Sequence, residues 1–403
     1  MTASDPLRSV SIEERRARLA LRHRLAPSAR TDDDVAAITD ALVALHSSDP
    51  VSVYLSAMAR MASPSLESVD AALYDERAIL RFHAMRRTLW VTTREVARAA
   101  HASSTLKLLA PEHARFVKML AANGITDGDR WIAEAKEQTL AELHRRGEAT
   151  ARELGLAVPA LRHPMVLAPG KSYSTTQGAH TRVLQHLGFD GSIVRSRPVG
   201  SWVNSQYRWA SMADWIPGGI TGMDPSDASS ALVDRWLHRF GPGTTADVQW
   251  WTGWNGRDTK QAIAAAGAVP VEVEVGPGRF EPGWLAAQDT APISCDESWV
   301  ALVPGLDPTT MGWKERDWYL DPTDALRLFD PNGNGGPAIW IDGRIVGSWV
   351  PRPDGTIALG WFGSVAARRR RQVETVARRL EALIDRTFTV RFPASIQSVL
   401  LGS

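Results

Sequence analysis

Helical and strand patterns alternate along this chain in an order that restricts its fold more than any other feature of the sequence. Residues 11–24 have the apolar period of a helix and open with Ser11 and Glu14, which are spaced as a capping box. A second helical pattern covers residues 35–45, and a strand pattern covers residues 87–92 before a further helix. Helices followed by a strand are the outline of a winged helix-turn-helix unit.

The same outline recurs twice further along the chain. The second copy has helical patterns at residues 131–146, 150–154 and 177–187 and strand patterns at residues 192–197 and 205–209. The third copy has helical patterns at residues 228–240, 244–251 and 256–266 and a strand pattern at residues 269–275. Recurrence at loosely regular spacing predicts three tandem winged-helix units.

The pattern changes after residue 281 to short strands separated by proline and glycine, with hairpin signals at Asp342-Gly343 and Asp354-Gly355. A basic helical pattern, residues 366–384, follows these strands. We therefore predict an α+β protein of three tandem winged-helix units and a C-terminal β-barrel-like domain. The expected boundaries are 1–125, 126–222, 223–280 and 281–403.

Composition excludes several classes of protein. No apolar run reaches the ~18 residues of a membrane span, and the charged N-terminal stretch lacks the apolar core of a secretory signal, so we expect a cytoplasmic protein without membrane contact. The single cysteine, Cys295, allows no internal disulfide, and we expect it to be structural. The net charge of +1 conceals an acidic middle, residues 221–363, between two basic ends. That distribution fits a polyanion partner and equally fits a solvated surface.

Familiar nucleotide, esterase and metal motifs are absent from the sequence, so we expect neither a cofactor nor a metal. The 16 tryptophans include a cluster at residues 250–254. Large rings at a helix end fill a core, and they also provide a stacking surface for bases. Both interpretations remain open at this stage.

The most informative segment is the polar turn that follows the second helical pattern. His46, Ser48 and Asp49 precede Pro50, which interrupts regular structure. An imidazole beside a hydroxyl and a carboxylate can hold a water molecule and accept its proton. The alternative is a helix cap in which Ser48 and Asp49 bind only backbone groups.

Five segments carry a resemblance to a known family. They are residues 45–50, 85–90 (Met-Arg-Arg-Thr-Leu-Trp), 240–247 (Phe-Gly-Pro-Gly-Thr-Thr-Ala-Asp), 303–312 and 341–349. With them the chain resembles bacterial winged-helix DNA glycosylases of the AlkZ/YcaQ type over nearly its whole length. The resemblance implies a C-shaped scaffold around duplex DNA and excision of alkylated bases, including crosslinked ones.

The catalytic signature of that family is Gln-x-Gln or Gln-x-Asp before Asp-Pro. Those positions are His46 and Ser48 here, with Asp49 and Pro50 retained. The resemblance implies a monomeric, monofunctional DNA glycosylase for bulky or crosslinked alkylated purines in double-stranded DNA, acting in repair or in resistance to a genotoxin such as an antibiotic. We expect His46 to position and deprotonate water, with Ser48 as a second hydrogen-bond partner and Asp49 orienting both. A non-catalytic winged-helix protein that binds DNA or lesions or acts as a regulator is the alternative, and a small-molecule-binding protein on the same scaffold is a third.

The same winged-helix interpretation gives candidate DNA contacts. They lie before the first strand, on the expected recognition helix of the second unit and on its wing, where a ring such as Trp202 could enter a groove. These candidates are Arg86, Arg87, Lys171, Gln177, His180, Arg182, Arg195, Arg197, Trp202, Asn204, Gln206 and Arg208.

Overall fold

The structure of the protein is a computed structural model that describes residues 7–30, 32–167, 172 and 174–402. Helices and strands are mixed along the chain. The α-helices are α1 (Ile12–Arg22), α2 (Val35–Ala41), α3 (Pro50–Met58), α4 (Leu66–Asp70), α5 (Arg94–Ala100), α6 (Leu109–Ala122), α7 (Gly128–Arg146), α8 (Ala151–Ala157), α9 (His180–Phe189), α10 (Met212–Trp215), α11 (Pro225–Phe240), α12 (Thr245–Thr252), α13 (Gly256–Ala265), α14 (Pro308–Met311), α15 (Pro322–Leu328), α16 (Ala367–Leu383) and α17 (Ser395–Leu401).

Within the described residues, the strands form four sheets. They are β1 (Ser9–Val10), β2 (Leu45–His46), β3 (Ile79–His83), β4 (Leu89–Thr93), β5 (Glu148–Thr150), β6 (Pro164–Leu167), β7 (Thr175–Gly178), β8 (Ile193–Pro198), β9 (Tyr207–Ser211), β10 (Gly243–Thr244), β11 (Val269–Gly276), β12 (Arg279–Leu285), β13 (Val300–Val303), β14 (Ala338–Ile341), β15 (Arg344–Pro351) and β16 (Ile357–Trp361). Short 3₁₀ and π turns lie between several of these elements.

Capping signals predicted the starts of several helices correctly. The Ser11 hydroxyl accepts a hydrogen bond from the Glu14 N–H at the start of α1. Thr150 and Thr244 each open a helix with a complete capping box. These signals depend on residues three positions apart, so they act before any tertiary contact forms.

The helix predicted over residues 177–187 begins later than expected. Gln177 lies on β7, which pairs with β6 in a hairpin, and α9 starts only at His180. Two β-branched threonines, Thr175 and Thr176, favour the strand, which ends at Gly178, and Ala179 separates it from the helix. The prediction that Gln177 lies on a recognition helix is therefore wrong.

The helix predicted over residues 35–45 is shorter than its apolar pattern. It ends at Ala41, and Val43 takes a left-handed conformation with φ of 59°. Leu45 consequently lies on β2, opposite Val91 of β4. This early end of the helix places the polar turn at the end of a strand.

The largest sheet has six strands in the order β2-β4-β3-β8-β9-β5. It combines strands from both sides of the boundary predicted at residues 125 and 126. A second, four-stranded sheet pairs β1 with β11 in parallel, so that Ser9 lies opposite Glu272. Strand pairing thus joins parts of the chain that the sequence patterns treat as separate units.

The C-terminal strands β13 to β16 form an antiparallel sheet in sequential order. No closed barrel was found in the described part of the chain, so the predicted barrel-like domain is an open sheet. Helix α16 packs against β13 and β16. Within the described residues, no helix has both the length and the apolar character needed to cross a bilayer.

A buried ion pair joins the N-terminal half of the protein to the C-terminal sheet region. The guanidinium of Arg60, just after α3, donates to both carboxylate oxygens of Asp307 at 2.8 and 2.9 Å. The same guanidinium donates to the carbonyl oxygens of His23 and Ser56 at 3.0 and 2.6 Å. Both side chains of the pair are fully buried. The pair therefore fixes α3 against the loop that precedes α14.

We expect Arg60→Ala to lower the free energy of unfolding by roughly 3–5 kcal/mol, because it leaves the Asp307 carboxylate buried without its partner. Urea unfolding followed by circular dichroism measures this loss. Arg327→Ala is the matched control, since its partner Asp324 lies three residues away on the partly exposed surface of α15. The control should change stability by less than ~1 kcal/mol. Equal losses in the two variants would contradict the assignment.

Candidate active site

The polar turn lies between β2 and α3. His46 is paired with Trp90 of β4, and the Ser47 N–H donates to the Leu89 carbonyl oxygen at 2.8 Å. Asp49 caps α3, where its carboxylate accepts the Val51 N–H at 3.2 Å, and Pro50 occupies the first helical turn. A short strand on one side and a capped helix on the other therefore hold the turn in one conformation.

His46 is a neutral imidazole within this turn. It is 7% exposed, and its ring centroid lies 4.6 Å from that of Trp90. Its Nδ1 atom accepts the backbone N–H of Ser48 at 3.4 Å. Burial, with a further contribution from the charge of Arg86, lowers the pKa of His46 to about 3. Such a ring is a weak base at neutral pH, so hydrogen bonding is the chemistry that it offers.

Asp49 is the group of the turn that can accept a proton. Its side chain is partly buried, and burial raises the pKa of the Asp49 carboxyl although the Val51 N–H and the charge of Arg391 oppose the rise. Within the described residues, the Asp49 carboxylate forms no hydrogen bond to His46 or Ser48. No contact therefore supports the expected role of Asp49 in orienting those two groups. The Asp49 carboxylate is a better proton acceptor than the imidazole of His46.

Strand pairing separates the side chains of the turn onto two faces of the sheet. His46 shares one face with Trp90 and Phe82, which lie opposite each other. Ser47 reaches the other face, where its hydroxyl accepts a hydrogen bond from Nε of Arg81 at 2.7 Å. The turn consequently borders two different groups of arginine and aromatic side chains.

The first group, the Arg81 cluster, consists of Arg81, Arg195, Tyr74 and Tyr207. Arg81 is 1% exposed and also donates to the Tyr74 hydroxyl at 2.7 Å. The guanidinium carbon of Arg81 lies 4.4 Å from the ring centroid of Tyr207. Sequence reasoning missed Arg81 and both tyrosines. A charged residue in the centre of the apolar strand pattern 79–83 was the available signal.

The second group, the Arg86 cluster, consists of Arg86, Trp250, Arg316 and Phe329. Arg86 adopts a left-handed φ of 56°, and its guanidinium carbon lies 4.6 Å from the ring centroid of Trp250. Arg316 lies 5.1 Å from the same centroid. The ring of Trp250 is thus already in contact with two guanidinium groups. Its neighbours Trp251 and Trp254 are buried in the core, which favours packing over base stacking for this tryptophan cluster.

Several predicted DNA contacts are engaged within the protein. Arg197 forms ion pairs with Asp70 and Asp75, and Arg208 pairs with Glu153. Three further candidates also have partners within the protein. Arg87 pairs with Glu112, and Arg182 donates to Gln185. Asn204 donates to the Val199 carbonyl oxygen and accepts the Gln206 N–H. Arg182 keeps its charge, because Gln185 is neutral and the Arg182 Nε has no hydrogen-bond partner, whereas the other charges and polar groups of this set already have partners.

Trp202 is a packing residue. It is 7% exposed, its indole N–H donates to Asp385 at 2.8 Å, and its ring packs against Tyr54 and Phe388. An exposed ring that enters a DNA groove was expected here, and burial contradicts that expectation. The Trp202 ring instead attaches the turn between β8 and β9 to the segment that follows α16.

The remaining candidates differ in their surroundings. His180 is the first residue of α9 and is partly buried, whereas Gln206 is exposed. Lys171 lies outside the described residues. Arg86 and Arg195 form no ion pair with any described carboxylate. With Arg182, these two arginines are the predicted contacts among the described residues whose charge no carboxylate neutralises.

Comparison with known proteins agrees with this fold. Residues 39–383 match the family described as DNA glycosylase AlkZ-like, so the chain belongs to that family. The solved structure of the Streptomyces sahachiroi DNA glycosylase AlkZ is similar, with a TM-score of 0.70 and 19% identity, and the match covers 96% of this chain and 99% of that one. At that identity the similarity concerns the fold alone. No match was found among the curated proteins.

We expect the buried, neutral state of His46 to make the protein sensitive to acid. The folded-state pKa of about 3 lies below the unfolded value of ~6.5, so the unfolded chain takes up a proton first as the pH falls. The stability that this histidine contributes is complete above pH ~6.5 and is lost progressively towards pH ~3.

Between pH 7 and pH 5 the loss attributable to His46 is at most about 2 kcal/mol. Urea unfolding of the wild type and His46→Asn at both pH values measures it. The two proteins share every other histidine, so their difference isolates this ring. The same pH dependence in both proteins would refute the prediction.

Proposed function

We propose that the protein hydrolyses the N-glycosidic bond of alkylated purines, bulky or crosslinked, in duplex DNA, in repair or in resistance to a genotoxin. Membership of the AlkZ-like family supports the class of reaction, and DNA is the substrate that this family implies. The observation that carries the proposal is the position of Asp49. Its partly exposed carboxylate, with a pKa raised by burial, lies in a turn bordered by two arginine clusters.

The chemistry requires little acid catalysis. Alkylation at N7 or N3 makes the purine cationic, so the base leaves with the electrons of the C1′–N bond without protonation. A water oxygen then bonds to C1′ of the oxocarbenium-like sugar, and we propose that Asp49 accepts the proton of that water. Its negative charge also stabilises the developing sugar cation. General-base assistance of this kind contributes ~10²–10⁴-fold to the rate.

His46 and Ser48 have supporting roles in this proposal. The Nδ1 atom of His46 accepts the Ser48 N–H, which leaves Nε2 carrying the ring proton. An Nε2–H and a serine hydroxyl can each bond to a water or to the lesion, as the two amides of the family signature would. We therefore assign hydrogen bonding to His46 and proton transfer to Asp49.

We further propose that duplex DNA follows the two arginine clusters, as a monomer with tandem winged-helix units in a C-shaped arrangement would allow. Arg86 and Arg195 are the members that support this path, because no described carboxylate neutralises them. Phosphate contacts of this kind position a duplex without reading its sequence.

A second candidate function is binding of lesions without base release. The observation that favours it is the absence of both glutamines of the signature together with the burial of His46. Salt-dependent binding to an alkylated duplex with no abasic product would identify this function.

We expect the wild type to convert an N7-alkylguanine duplex to an abasic product under single-turnover conditions, and Asp49→Asn to be slower by ~10²-fold or more. Asparagine still caps a helix, so the variant removes the base while keeping α3. Alkaline cleavage of the abasic strand measures the product. The matched control is Asp224→Asn, which alters another aspartate cap before a proline, at the start of α11.

The control should keep the wild-type rate. A wild-type rate in Asp49→Asn would remove Asp49 from the mechanism. We expect His46→Ala to lose activity as well, because the variant loses the hydrogen-bond donor beside the water. Full activity in His46→Ala would refute the site assignment.

A further inference from the structure

Two arginines of the Arg81 cluster lie side by side. Arg81 on β3 is the direct antiparallel partner of Arg195 on β8, so both side chains project from the same face of the sheet. The guanidinium carbons lie 4.4 and 5.6 Å from the ring centroid of Tyr207. Arg195 also lies 4.8 Å from the ring centroid of Trp209. Aromatic faces therefore separate and orient two neighbouring positive charges.

No described carboxylate forms an ion pair with either arginine. Among the other deeply buried arginines of the described residues, Arg18 and Arg60 each have a carboxylate partner, whereas Arg15 has none. Like charges that lie directly opposite in a sheet destabilise it. The repulsion between two uncompensated cations in this position destabilises the fold, and a bound anion would remove that repulsion.

Unused hydrogen-bond donors accompany the uncompensated charge. Nη2 of Arg81, Nε of Arg195 and the hydroxyl of Tyr207 are buried without a hydrogen-bond partner. Buried donors without partners each cost ~1–3 kcal/mol, so native proteins keep few of them. Three such groups around one ring indicate a site prepared for an acceptor with several oxygens.

The cluster is connected to the polar turn. Arg81 holds the hydroxyl of Ser47, which lies between His46 and Asp49 in the chain. Burial raises the pKa of Tyr207, and the charge of Asp49 is among the further contributions to that rise. Burial lowers the pKa of Arg195, and the charges of Arg81 and Arg391 lower it further, so Arg391 is a third cation in the same region. An anion here would lie next to the group that we assign to catalysis.

We infer that the Arg81 cluster binds a phosphodiester of the DNA strand whose damaged nucleotide reaches the polar turn. Arg195, which is partly exposed, contacts the phosphate oxygens, and Arg81 is a positioning residue that adds charge and holds Ser47. The inference rests on the proposed function, because it names the part of the substrate that this face of the sheet recognises.

The test measures binding and not base release. The probe is a duplex with a tetrahydrofuran abasic analogue, in which one phosphate at a time near the lesion is replaced by an uncharged methylphosphonate. We expect the wild type to lose ~10-fold in affinity at one or two positions. Arg195→Gln should bind the unmodified probe ~10-fold more weakly. Its affinity should not fall further when the phosphates at those positions are replaced. Its salt dependence should decrease by about one charge.

Two further variants keep the inference falsifiable. Arg279→Gln is the matched control, because Arg279 lies on β12 with Glu281 and Asp317 as partners, and it should reproduce the wild-type series. Arg195→Lys should restore the salt dependence of the wild type. The inference is overturned if Arg195→Gln shows the same position-dependent losses as the wild type.

The outcomes also separate this inference from the proposed function. A wild type that releases no base but shows the position-dependent losses keeps the phosphate site and loses the glycosylase assignment. A wild type that releases base without those losses keeps the glycosylase and loses the phosphate site. The folded state of each variant is checked by its thermal midpoint, which we expect not to fall in Arg195→Gln because the variant removes an unpaired charge that lies opposite a like charge.

Discussion

The buried pair of Arg60 and Asp307 is the interaction on which the position of the polar turn depends. One guanidinium satisfies a carboxylate, two backbone carbonyl groups and the hydroxyl of Thr309, so the segments that carry them cannot move independently. The Ser52 hydroxyl adds a hydrogen bond of 2.6 Å to the Gly305 carbonyl oxygen. Because Asp49 caps the same helix, the C-terminal region determines where the Asp49 carboxylate lies, although the two are about 250 residues apart.

Arginine has two separate uses in this protein, and the presence of a carboxylate partner distinguishes them. Arg60, Arg197 and Arg208 are neutralised by partners and hold elements together. Arg81, Arg86 and Arg195 have aromatic rings around them and no partnering carboxylate among the described residues. Aromatic contacts orient a guanidinium without cancelling its charge, so these three retain the potential to attract a polyanion.

Sequence patterns predicted what depends on neighbours along the chain. Ser11, Thr150 and Thr244 marked helix starts correctly because a cap needs only the next three residues. The polar turn at His46–Asp49 was recognisable for the same reason, although the low pKa of the histidine was not, since it comes from burial against Trp90. Trp202 and Arg81 were misjudged or missed because their surroundings come from Asp385 and Tyr207, which are distant in the sequence. Pattern and propensity do not contain that information.

The parallel pairing of β1 with β11 has a consequence for how the protein is made. Strand β1 has no sheet to join until residues near 285 have left the ribosome, because β11 and β12 form the hairpin that receives it. At ordinary rates of translation that delay is on the order of tens of seconds. During biosynthesis β1 therefore remains unpaired at first, and this sheet forms only after β11 and β12 have emerged.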